Sequence, residues 1–257
     1  MMSEHKHETH KSDPDKTARD PFTEDEIILL MRKLLTTIEK DIYPLTAVQV
    51  AKGDRVFGAS IHNMKEPYDT ICYDTNRSGT IDPLYHGETS CIHTFYKMDK
   101  HIKEFKLGNN LSNLKNSEYD LDPTQCIFLA THEPCSLCLS AISWCGFSNF
   151  LYLFTYEDSA TSFEMPIDIK MLEDVFGNDN SKGNPYYHKK NSFWESHNIK
   201  WIIENKIVKD LKCKADLQDH VRKIEKMYDA LVQDHPGCDE EKHYLAPKKE
   251  LIGPSKL

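Results

Sequence analysis

Three observations predict an α/β protein. Short apolar, strand-like runs alternate with helical periodicities along the first 160 residues. Two of those runs, Cys126–Ala130 and Asn149–Phe154, are continuous rather than alternating, as in strands buried on both faces. The two segments richest in metal-binding side chains, Asp82-Pro83-Leu84-Tyr85-His86-Gly87-Glu88 and Thr131-His132-Glu133-Pro134-Cys135-Ser136-Leu137-Cys138, each open a helix, so a site belongs at the strand-to-helix junctions.

In order, residues 1–22 are almost wholly polar and charged and read as a disordered arm; His5, His7 and His10 belong to it. Thr23 and Glu26 form a capping box, and Ile27, Met31, Leu34, Leu35 and Ile38 recur at helical spacing, which predicts a helix over 24–40 ended by Tyr43-Pro44. Leu45–Val50 and Val56–His62 read as strands joined by a Lys52-Gly53-Asp54 turn, and Thr70–Tyr73 as a third strand. Asn76-Arg77-Ser78-Gly79 opens a loop that runs to His86. Cys91, Ile92, Phe95, Met98 and Ile102 then carry a helix.

Gly108–Asp122 is loop-like. The run from Cys126 leads into Pro134, well placed to start a helix that Leu139, Ile142 and Trp144 carry to Gly146. Trp144, Phe147 and Phe150 are assigned to the core. Beyond Thr155, Pro166–Phe176 suggests a helix, Trp201-Ile202-Ile203 a last strand, and Leu217, Val221, Ile224, Met227, Tyr228 and Leu231 an amphipathic helix stopped at His235-Pro236-Gly237. The organisation expected is an arm (1–22), a site-bearing domain (23–160), an extension packed on it (161–234) and a loose tail (235–257). Phe193-Trp194-Glu195 and Tyr186-Tyr187-His188 could cover the site as a lid, although packed extension is the simpler expectation.

Lys+Arg 32 against Asp+Glu 41 gives a net charge of -9. Nucleic-acid binders draw affinity from neutralising phosphates with a basic surface, so this balance argues against such a partner and for a small molecule. No apolar run approaches the roughly 20 residues of a membrane span. No secretory leader opens the chain. A cytoplasmic setting with reduced thiols is therefore expected for the eight cysteines, and a tight C-x-x-C reads as metal or redox chemistry rather than as a disulfide.

Cys135 and Cys138 are three apart, hence on one face of a helix, in the first turn where free amides and the helix dipole favour thiolate. With His86 they supply three zinc ligands, leaving the fourth position of a tetrahedral ion open to water. Glu88, two residues from His86, is placed to move protons beside the metal. His132 is near enough in sequence to close the site as a fourth, structural ligand. His93 and His101 read as surface or core histidines, and Cys91 and Cys145 as core thiols.

These residues resemble the cytidine deaminase superfamily over about 24–160, and within it the guanine deaminase and tRNA adenosine deaminase branch. Phe57-Gly58-Ala59 resembles the F-G-A strand of that branch, Asp82-Pro83-x-x-His86-x-Glu88 its D-P-x-x-H-x-E, and Thr131-x-Glu133-Pro134-Cys135-x-x-Cys138 its T-x-E-P-C-x-x-C. The resemblance implies a three-layer α-β-α fold around a mixed five-stranded sheet, here with a C-terminal helical extension, and a homodimer whose partner helps wall the pocket. It implies hydrolytic deamination of a free base, nucleoside or nucleotide, a purine such as guanine favoured, with Zn2+ as cofactor and Glu88 as proton carrier. By the same resemblance Asn76, Phe57, backbone groups near Ala59 and Glu88, and Asp158 hold the base. His86-Gly87-Glu88 departs in a minor way from the usual H-A-E. The competing readings are a tRNA adenosine deaminase or a subunit of one, and a zinc-stabilised scaffold without activity.

Overall fold

A computed structural model describes residues 22–108, 121–163, 166–177 and 186–235, the side chains of 99–108 excepted. The N-terminal arm, the Gly177–Gly183 loop beyond its first residue and the tail after His235 lie outside the described residues.

The chain enters through α1 (Glu24–Thr37). Thr23 and Glu26 close the capping box that the sequence signals. A π turn at Ile38–Ile42 follows and feeds directly into α2 (Tyr43–Val50). The sequence predicted the helix to stop at Pro44 and Leu45–Val50 to be a strand; both expectations fail. Pro44 sits in the first turn of α2, where a missing N–H costs nothing, and the wider π turn lets the chain stay helical through it. Gly53, at φ 98°, then makes the turn into β1 (Gly58–Asn63).

β2 (Thr70–Thr75), α3 (Gly87–Gly108), β3 (Cys126–His132), α4 (Ser136–Trp144) and β4 (Asn149–Phe154) follow, close to their predicted ranges. A short α5 (Tyr156–Thr161) that the sequence does not signal precedes α6 (Ile167–Phe176). The last strand is β5 (Glu195–Asn198), and Trp201-Ile202-Ile203, predicted as a strand, lies in α7 (Ile199–Lys206). Asn198 decides this, because its side chain accepts the N–H of Trp201 and starts a helix there. α8 (Leu211–Asp234) ends the described chain.

The five strands form one mixed sheet in the order β2-β1-β3-β4-β5. β1 pairs antiparallel with β2 and β3, whereas β3–β4 and β4–β5 are parallel. Each face of the sheet has its own core. On one, Ile127, Leu129, Leu151 and Leu153 meet α1, α7 and α8 through Leu34, Leu35, Ile203, Leu217 and Ile224. On the other, Ala59, Ile61, Phe128, Ala130 and Phe150 meet α3 and α4 through Cys91, Phe95 and Ile142. The result is the three-layer α-β-α arrangement, its C-terminal helices completing one outer layer.

Phe147 and Phe150 are core residues, but Trp144 is 90 % exposed at the end of α4. Its position in a helical pattern gave the expectation of burial; α4 ends there, and the last turn points outward.

Candidate active site

The site lies where α3 and α4 begin, at the ends of β1 and β3. Thr131 on β3 joins those strand ends, since its hydroxyl accepts the N–H of Gly58 and donates to the Gly58 carbonyl (2.9 and 3.1 Å). The start of α3 packs tightly on the same place. A Cβ on Gly87 would stand 2.8 Å from the backbone N and Cα of Gly58. The glycine between His86 and Glu88 is therefore not the minor change expected: here the backbone approach leaves no room for the usual alanine.

His86, Cys135 and Cys138 converge. The His86 Nδ1 atom is 3.4 Å from Cys135 Sγ and 3.6 Å from Cys138 Sγ, and the two sulfurs are 3.6 Å apart. Ligands about 2.3 Å (sulfur) and about 2.0 Å (nitrogen) from a tetrahedral zinc stand about 3.8 Å apart for a sulfur pair and about 3.5 Å for sulfur and nitrogen. The three donors already have the edge lengths of a zinc tetrahedron. Among the described residues this is the cluster able to hold a metal ion. Cys135 is held well below the usual thiol range by its hydrogen bond with Cys138, against burial and with help from His86. Burial opposes charge on His86, yet the Cys135 sulfur lifts its pKa to about 9. Cys138 is pushed the other way, by burial and then by the Cys135 sulfur, so in the absence of a cation the pair carries its charge on Cys135.

Glu88 is buried in the first turn of α3, with Oε2 3.3 Å from Cys138 Sγ. Burial, with the negative sulfur of Cys135, pushes its carboxyl up to about 7. It stands beside the donor triad without belonging to it.

Asn76 is also buried, and its backbone N–H donates to the Phe57 carbonyl (2.7 Å). Its Oδ1 accepts from the N–H groups of Arg55 and Ser78 and from the Ser78 hydroxyl (3.2, 3.0 and 2.8 Å). Three donors on one atom fix the orientation of the amide. Nδ2 is left as a buried donor without a partner among the described residues. The loop behind it is held by the buried Asp54, which accepts from the N–H groups of Gly79 and Thr80 at 2.9 Å each.

Phe57 lies edge-on to the His132 ring, with centroids 4.9 Å apart, and its carbonyl also accepts the Thr75 hydroxyl. Ala59 faces the core beside α3. Asp158 stands apart from the converging donors. It caps α5 by accepting the Thr155 N–H (2.9 Å) and pairs with Lys200 (2.9 Å), so its carboxylate is committed to structure. His132 does not close the donor set either: it is buried among Phe57, Phe154, Phe163 and Tyr228, and burial drops its pKa to about 3. His93 is exposed and stacks on Tyr85.

Sequence reasoning missed Asp168. It lies in the first turn of α6, three residues before Met171, whose sulfur meets the Ser136 hydroxyl at 3.2 Å beside Cys135. Its carboxyl is pushed up to about 8 by burial and then by the negative Cys135 sulfur, against His86, so it shares the field of the donor triad. A lone Asp in a weakly patterned stretch carries no motif; only the packing of α6 on α4 reveals it.

Residues 25–154 match the family described as cytidine and deoxycytidylate deaminase zinc-binding region. The chain belongs to the cytidine and deoxycytidylate deaminase family. It is thus a zinc deaminase, with His86, Cys135 and Cys138 positioned to hold the ion. Solved structures to which the chain is similar include guanine deaminase from Bacillus subtilis, at 24% identity over 63% of this chain and 86% of that one, with a TM-score of 0.40. Guanine deaminase from Nitrosomonas europaea is 13% identical over 70% of this chain and 81% of that one, at 0.34. A structure from work on tRNA:A34 deaminases is 17% identical over 46% of this chain and 78% of that one, at 0.27. No curated protein sequence matches the chain. Among the described residues, no helix of this deaminase is long and apolar enough to cross a membrane.

Proposed function

We propose that this deaminase hydrolyses the exocyclic amino group of a free base, nucleoside or nucleotide, a purine such as guanine favoured, and releases ammonia. The observation that carries the reading is the buried Glu88 carboxyl, 3.3 Å from Cys138 Sγ and outside the donor triad. Zinc, when bound, supplies Lewis acidity that draws the pKa of a water from 15.7 toward about 7.

The protein groups then divide the remaining work. Glu88 accepts a proton as the water oxygen bonds to the ring carbon, and returns it to the adjacent ring nitrogen. A second transfer through Glu88 moves the proton of the newly added hydroxyl to the amino nitrogen, the carbon–nitrogen bond breaks, and ammonia leaves as the carbonyl forms. Burial disfavours the charged form of Glu88, which suits a carboxyl that must both take and give a proton.

Asn76 Nδ2, the orphaned donor, suits an acceptor on the ring such as a purine nitrogen or carbonyl oxygen. Asp168 supplies a second acid in the same field, suited to hold an amino group flanked by ring nitrogens. The net charge of -9 favours a small substrate over a polyphosphate chain.

The test is ammonia release from a panel of purine and pyrimidine bases, nucleosides and nucleotides. Release from an aminopurine is expected. No release from any member overturns the reading.

A further inference from the structure

An ion network behind the zinc turn, its carboxylate buried and its lysine 45 % exposed, takes no part in the chemistry above. Glu133 precedes Cys135 by two residues, and its side chain is 4 % exposed. Lys189 pairs with its Oε1, the Tyr187 hydroxyl donates to the same atom (2.6 Å), and the Tyr156 N–H donates to Oε2 (3.2 Å). Lys189 is itself fixed. Its Nζ donates to the hydroxyls of Tyr152 and Tyr187 (2.9 Å each) and sits 4.9 and 4.2 Å from their ring centroids.

The next residue is tied to the same segment. The Tyr156 hydroxyl donates to the Pro134 carbonyl (2.5 Å), and its ring packs edge-on against Tyr186 and Tyr187. The segment is in turn held by the sheet, because the Lys189 carbonyl accepts the N–H of Ser196 in β5 (2.8 Å).

We propose that Lys189 and Tyr187 are positioning residues of the zinc site: Lys189, by neutralising Glu133, and Tyr187, by donating a hydrogen bond to it, hold the Glu133-Pro134-Cys135 turn in the shape that offers Cys135 to the metal. A carboxylate buried without a cation is costly, and the turn would rotate to hydrate it. Two residues downstream, that rotation moves the Cys135 sulfur off its tetrahedral edge. Lys190–Glu195, close by in sequence but with side chains 78% and 44% exposed, has no such leverage. The C-terminal extension thereby belongs to the metal site although it supplies no ligand. The inference rests on the zinc donors alone, not on the substrate proposed above, and zinc release can fail as a test independently of any deamination assay.

The experiment loads the full chain with zinc and follows its transfer to a chelating dye. Lys189→Met is expected to release zinc about 10- to 100-fold faster than wild type, the range for loss of a supporting contact at a metal site. Lys189→Arg, which restores the cation, is expected to return to within about threefold. The double variant Glu133→Gln/Lys189→Met leaves no orphaned charge, so it is expected to keep the wild-type melting temperature within a few degrees and to release zinc within about threefold of wild type. Lys223→Met, which weakens the remote buried carboxylate Glu39, serves as the stability control. Wild-type release from Lys189→Met, or release from the double variant as fast as from Lys189→Met, overturns the proposal. So does equally fast release from Lys223→Met, which would reduce the network to general stabilisation.

Discussion

Glu88 Oε2 lies 3.3 Å from Cys138 Sγ, yet the two side chains come from different helices whose starts are 49 residues apart, Gly87 in α3 and Ser136 in α4. The acid is held at the edge of the donor triad by α3, while two of the three donors ride on the start of α4. Acid and metal site can therefore be separated by mutation.

Glu88→Gln is expected to lower kcat about 10²- to 10⁴-fold, the range for loss of a general acid–base group, while zinc content stays stoichiometric. Ammonia release and metal analysis on the same sample check it. Unchanged turnover would leave the deaminase without its assigned proton carrier.

Asn76→Asp keeps an oxygen for the N–H groups of Arg55 and Ser78 and replaces the unpartnered Nδ2 donor by an acceptor. Substrate binding should weaken, with KM rising about 10-fold or more, while the melting temperature moves little. Steady-state kinetics beside a thermal scan separate the two effects. A large loss of stability with unchanged KM would make Asn76 a loop anchor only.

Gly87→Ala forces a methyl group to within 2.8 Å of the Gly58 backbone. A destabilisation of about 1–3 kcal/mol is expected, with lower turnover because the strained turn carries both His86 and Glu88. Denaturant midpoints and kcat read the two consequences.

Glu39 answers to pH. Its carboxyl is held down to about 2 from an ordinary 4.5 by hydrogen bonds from Lys40 and Lys223, burial opposing and His220 assisting. A carboxylate with a depressed folded pKa stabilises the protein above its unfolded pKa, and that stability is lost as pH falls from about 4.5 to about 2. Wild type should accordingly be more stable than Glu39→Gln at pH 7, the gap closing across that window. Melting temperatures of both proteins from pH 7 down to 2 test it, and a constant gap would contradict it.

The metal site was legible in the sequence because its donors are close in sequence or open helices, where local rules operate. H-x-E after Pro83 and P-C-x-x-C after a buried run each announce a helix start, and both helices begin there. The α2 error arose because Leu45–Val50 is short and apolar, a pattern shared by strands and buried helix turns, and the π turn that decides between them has no signature. Asp168 and Lys189 could not be read for a different reason. Each meets the site only across the fold, Asp168 by the packing of α6 against the start of α4 and Lys189 through Glu133, and no local spacing announces either meeting. Asp158, expected from the resemblance to hold the base, caps α5 and pairs with Lys200, contacts that no local pattern signals.

The core that α1 and α8 close together bears on how the chain comes off the ribosome. Leu34 and Leu35, near the start, and Leu217, Val221 and Ile224, near the end, cover the same sheet face. Until α8 emerges, that face of a nearly finished sheet stays open to water, with Ile127, Leu129, Leu151 and Leu153 on it. A nascent chain released at residue 160 would carry all three donors and still lack the α7 and α8 side chains that pack on that face. The metal donors are synthesised first, but that side of the sheet is covered only when α8 has formed.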